Sequence, residues 1–199
     1  ASQSSWCRRG AAHQAGFEGE ISWGRPFAKY ILPALNVNPD TIIVTGFSGG
    51  AYFSNILHLS NSETIKGVYL RSGGPFSNAA EYNEEVGGER NDKILEKAMA
   101  LAQELSDKGQ IDDVTNLQGA PVKIIGGQDE KYANLLTLQK EFYDNFDSLT
   151  DLEIVEGIGH TTAWSDAKDA YSYLYPKISG SGISSESDLS FANFDDLTY

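Results

Sequence analysis

Thr41-Ile-Ile-Val-Thr45 runs directly into Gly46-Phe-Ser-Gly-Gly50 and then into Ala51-Tyr-Phe-Ser-Asn-Ile-Leu-His-Leu59. The first run is β-branched throughout and reads as a buried strand. The last, with Tyr52, Phe53, Ile56 and Leu57 spaced for one face, reads as a helix. Between them lies a Gly-x-Ser-x-Gly turn, the strand-turn-helix context that presents a serine as a nucleophile. So sharp a turn puts Ser48 in a strained backbone conformation with its hydroxyl above the sheet. Glycines are expected on both sides because a side chain there would collide with neighbouring backbone. The helix start beyond Ser48 offers unpaired N–H groups and a positive dipole end.

Working outward, three further runs have the strand signature: Ile65-Lys-Gly-Val-Tyr-Leu70, Val122-Lys-Ile-Ile125 and Leu152-Glu-Ile-Val155. Helical spacing recurs between and after them. Asn91 to Leu105 aligns Ile94, Leu95, Ala98, Leu101, Ala102 and Leu105; Lys131 to Phe146 aligns Leu135, Leu138, Phe142 and Phe146; Trp164 to Leu174 aligns Trp164, Ala167, Ala170, Tyr171 and Leu174. Strands alternating with helices imply parallel pairing through right-handed crossovers, with helices on both faces, so the fold class is α/β. With 199 residues the chain reads as one domain over 25–178. It is preceded by an irregular segment, 1–24, and opens with a first helix from about Pro26 to Leu35. It is followed by an acidic Ser/Gly-rich tail, 179–199, with too few apolar residues to bury.

A serine hydroxyl needs a base to take its proton, and the chain has three histidines. His13 lies in the irregular start. His58 is about three turns along the helix that begins after Ser48, roughly 15 Å away. His160, in Gly157-Ile-Gly-His160, follows the last strand and belongs to the same sheet edge as Ser48. A carboxylate must orient that base. Gly126-Gly-Gln-Asp129 follows the third strand, which makes Asp129 the expected acid and completes the chain order Ser, Asp, His. Glu130 is its nearest competitor, and Asp129 has the alternative role of a helix N-cap.

Acidic residues outnumber basic ones 28 to 15, a formal charge of −13, so nucleic acid and anionic membrane surfaces would be repelled. Cys7 is the single cysteine, which excludes an internal disulfide and a thiolate metal cluster. No motif implies a metal or a cofactor. No apolar run reaches the roughly 18–20 residues that span a bilayer, and nothing in the sequence assigns a compartment.

The order and spacing of these segments resemble the polyhydroxybutyrate depolymerase family of esterases, within the α/β-hydrolases and close to the feruloyl and acetyl xylan esterases. Leu35-Asn-Val-Asn-Pro-Asp40 before the first strand, Ser72-Gly-Gly-Pro-Phe76 after the second, Ile111-Asp-Asp-Val-Thr-Asn-Leu117 and Pro121-Val-Lys-Ile-Ile-Gly-Gly-Gln-Asp129 carry the likeness, over about residues 25–175. The resemblance implies ester hydrolysis through an acyl-enzyme, with Ser48 attacking, His160 moving protons, Asp129 orienting it and the Gly49 N–H forming part of the oxyanion hole. Phe47 and Ser72 are expected to border a small-molecule or polymeric ester substrate. Trp164 either packs its own helix or walls the acyl pocket. The four strands correspond to the C-terminal half of the family's sheet, and no His-Gly loop upstream of Ser48 supplies a second oxyanion N–H. The expectation is a partial hydrolase domain whose first strand has an exposed edge open to self-association. Feruloyl or acetyl esters are the rival substrates; a truncated fold acting as a binding module is the rival function.

Overall fold

The computed structural model of the chain describes residues 39–76, 92–161 and 166–179. The irregular start, the expected first helix, Cys7, His13, Trp164 and the tail beyond Ser179 lie outside them. Four strands, β1 (Ile43–Phe47), β2 (Gly67–Arg71), β3 (Pro121–Gly127) and β4 (Leu149–Val155), form one sheet in the order β1-β2-β3-β4. Every neighbouring pair is parallel. Helices α1 (Gly49–Ser60), α2 (Asp92–Asp107), α3 (Asn134–Asp144) and α4 (Asp166–Ser179) accompany them.

The two-residue period of the strands divides the core. Val68, Leu70, Val122 and Ile124 point to the face covered by α1, α2 and α3, where they pack with Ala51, Ile56, Ala98, Ala102 and Phe142. Tyr69 and Ile125 point the other way, onto Ala170 and Leu174 of α4. Helices on both faces explain why β3 is buried along its whole length. Lys123, on the α4 side of β3, is the polar exception. Its ammonium lies 2.9 Å from Asp151 and 3.0 Å from Glu153 of β4. Burial alone would lower its pKa, but those two carboxylates more than offset this and the net shift is upward.

All four strands differ in their bounds from the expected runs, β2 ending at Arg71 and β4 starting at Leu149, and two of the differences bear on the site. β1 starts at Ile43, because Pro39–Thr41 forms a 3-10 turn, and continues through Gly46 and Phe47. β3 likewise runs past Ile125, pairing Gly126 with Ile154 and Gly127 with Val155. Both extensions carry the strands two residues closer to the sheet edge where the candidate residues gather.

Candidate active site

Ser48 joins β1 to α1 with φ 54° and ψ −119°. A positive φ at a residue other than glycine costs about 1–3 kcal/mol, and here three hydrogen bonds hold it. The Ser48 N–H donates to the Arg71 carbonyl at 2.9 Å, extending the β1–β2 ladder by one rung, and the Ser48 carbonyl accepts from Ala51 and Tyr52 N–H at 2.9 and 3.2 Å. A Cβ on Gly46 would lie 2.2 Å from the Gly50 carbonyl oxygen, so only glycine lets α1 fold back so closely. Gly50 itself corrects the expectation of two obligatory glycines, since a Cβ there would meet nothing within 4 Å.

The structure brings Ser48 and His160 together: His160 Nε2 lies 2.8 Å from Ser48 Oγ. The other ring nitrogen, Nδ1, lies 3.1 Å from Glu130 Oε2. Asp129 is not the imidazole's partner, which corrects the sequence assignment by one residue. The cause is the extra length of β3. With Gly126 and Gly127 still in the strand, Gln128 and Asp129 become the turn, their N–H groups donating to Val155 and Ile158 carbonyls at 2.9 and 3.0 Å. Asp129 is exposed. Glu130 then returns over the end of β3 with its side chain 5% exposed. Its Oε1 accepts from the Gly127 N–H at 2.7 Å and from the Ser72 hydroxyl at 2.5 Å, leaving Oε2 for the imidazole. Gly127 also lets the histidine loop cross, since a Cβ there would lie 2.0 Å from the Ile158 carbonyl oxygen.

The remaining candidates fall as follows. Phe47, half-buried, packs its ring against that of His160 at 4.7 Å between centroids. Ser72 does not border an open substrate surface; it is buried with its hydroxyl on Glu130. Gly49 opens α1, where no carbonyl of its own helix is available to its N–H. Arg71, which the sequence reading passed over, donates from Nε to the Thr161 carbonyl at 3.3 Å, just beyond His160. Its place directly after the apolar run that ends at Leu70 is the available signal. His58 is fully buried, with Nδ1 3.1 Å from the Tyr143 hydroxyl, and burial holds its pKa down to about 3. Among the described residues no group of three or more His, Cys, Asp or Glu could hold a metal ion, and no described helix is long and apolar enough to cross a membrane.

No family model matches the chain, and no curated protein matches it in sequence. Solved structures match in fold. A PHB depolymerase variant complexed with an R3HB trimer is 23% identical with a TM-score of 0.55, over 63% of this chain and 41% of that one. The PHB depolymerase from Penicillium funiculosum is 20% identical with a TM-score of 0.60, over 70% and 52%. Esterase PE8 is 21% identical with a TM-score of 0.56, over 84% and 64%. The likeness establishes the α/β-hydrolase fold, and the chain spans less than two thirds of the length of each of these proteins.

Proposed function

We propose that the protein is a serine hydrolase of carboxylic esters, with Ser48 as nucleophile, His160 as general base and acid, and Glu130 as the carboxylate that orients it. The observation that carries this reading is the 2.8 Å approach of His160 Nε2 to the hydroxyl of a serine held at φ 54°. A structural turn has no need of a strained serine facing an imidazole. With Nδ1–H donating to Glu130, Nε2 presents its lone pair to the Ser48 hydroxyl. His160 takes that proton as Oγ adds to the ester carbonyl, and the resulting oxyanion meets the Gly49 N–H. Collapse breaks the ester C–O bond, the alcohol leaves with the proton from His160, and water repeats the cycle to release the acid.

The substrate we favour is a hydroxyalkanoate ester, on the combined ground of the sequence resemblance and the fold shared with two PHB depolymerases. A fluorophosphonate probe is expected to label the wild type and spare Ser48→Ala. No labelling of either folded protein would overturn the enzymatic reading and leave a binding role. Release of 3-hydroxybutyrate from its oligomers, against ferulate or acetate from plant polysaccharide, then decides the acyl group.

A further inference from the structure

The segment Arg71-Ser-Gly-Gly74 at the end of β2 touches Ser48 and Glu130 of the proposed triad and the residue that follows His160. The Arg71 carbonyl accepts from the Ser48 N–H, and the Arg71 guanidinium holds the Thr161 carbonyl beside His160. Ser72 completes the set. Its backbone is at φ 54°, with the N–H bound to the Ile125 carbonyl at 2.8 Å. That conformation aims the hydroxyl at Glu130 Oε1, 2.5 Å away, a length typical of a hydroxyl donating to a carboxylate. The segment is anchored from behind: the Gly74 carbonyl accepts from Asn55 Nδ2 of α1 at 3.1 Å and from Gln139 Nε2 of α3 at 2.7 Å, both residues buried.

We infer that Ser72 is a positioning residue for the hydrolysis, acting through Glu130; the inference rests on the triad reading above. A glutamate has one more rotatable bond than an aspartate, so its carboxylate needs more fixing to keep one oxygen on a solvent-exposed imidazole. The Gly127 N–H and the Ser72 hydroxyl occupy Oε1 together and leave Oε2 as the one oxygen turned toward His160. Ser72, itself 6% exposed, is too buried to serve as a substrate contact.

The test uses the full chain and a chromogenic short-chain ester. Ser72→Ala is expected to lower kcat about 10-fold with KM within two-fold, and to move the proton resonance of His160 Nδ1–H upfield. Ser72→Gly removes the same hydroxyl but suits φ 54° without strain, so it should lose the same activity with an unchanged urea midpoint. In a Glu130→Gln background the Ser72→Ala change should cost less than two-fold, because the two groups act as a unit. Equal losses in both backgrounds, or an unmoved resonance with unchanged kcat, would overturn the role of Ser72 while leaving the triad. If Ser48→Ala hydrolysed the ester as fast as wild type, the triad and the role of Ser72 would fall together.

Discussion

Asp129 and Glu130 differ by one methylene and one position, and the imidazole meets only the second. Replacing Glu130 by Gln leaves the shape but removes the charge that stabilises the imidazolium, and kcat should fall about 10³- to 10⁴-fold by comparison with the equivalent change in a serine protease triad. Asp129→Asn should change kcat less than three-fold; steady-state kinetics of the pair distinguishes them. A second titrating residue acts on stability instead. His58 is held neutral in the folded core down to about pH 3, whereas in the unfolded chain it protonates near its ordinary value of 6.5. Between those values the unfolded state binds the extra proton, so stability falls as pH falls, by about 1.4 kcal/mol per unit. Urea unfolding from pH 7 to pH 4 should show this slope. His58→Leu should flatten it, at a starting cost of about 1 kcal/mol for the lost hydrogen bond to Tyr143. Parallel slopes would mean that His58 is not held neutral.

The junction of β1 and α1 is flanked by two glycines with opposite demands, Gly46 at the end of the strand and Gly50 at the start of the helix. Gly46→Ala must displace the backbone at Gly50, at a cost of about 1–3 kcal/mol and with Ser48 carried off line. Gly50→Ala, in open space within the first turn of α1, should leave the urea midpoint unchanged or raise stability by up to ~1 kcal/mol. Equal destabilisation would show that α1 leaves the turn by another path. The same turn marks how far the sequence could be read. Strand, turn and helix were legible because β-branched residues, glycines and apolar spacing each signal locally. His160 was legible because only one histidine follows a strand at the right edge. Glu130 was not, because Gly126-Gly127 has the composition of a turn, and only pairing with Ile154 and Val155 of β4 makes it strand. That pairing is a tertiary fact; it moves the end of the strand by two residues and the acid by one. Ser72 was misread for a related reason: its small-residue loop gives no local sign of whether it faces a ligand or a neighbouring carboxylate.

Over the whole molecule the net charge of −13 opposes contact between copies at neutral pH, and the isoelectric point from the sequence lies near 4.5. Acidification toward that value removes the repulsion while the protonation of unfolded His58 weakens the fold, so turbidity on mild heating should peak near pH 4.5. His58→Leu should raise the onset temperature there without moving the pH of the maximum. A shifted maximum would tie aggregation to the histidine and not to the charge. The span of the site has a further consequence. Ser48 and His160 are 112 residues apart in the chain and in contact in the fold. At a synthesis rate of about 5–20 residues per second, Ser48 is added to the chain roughly 6–22 s before His160. Throughout that interval the nascent chain holds Ser48 without His160, so the proposed hydrolysis could begin only once the chain through β4 and the histidine loop has been added to the sheet.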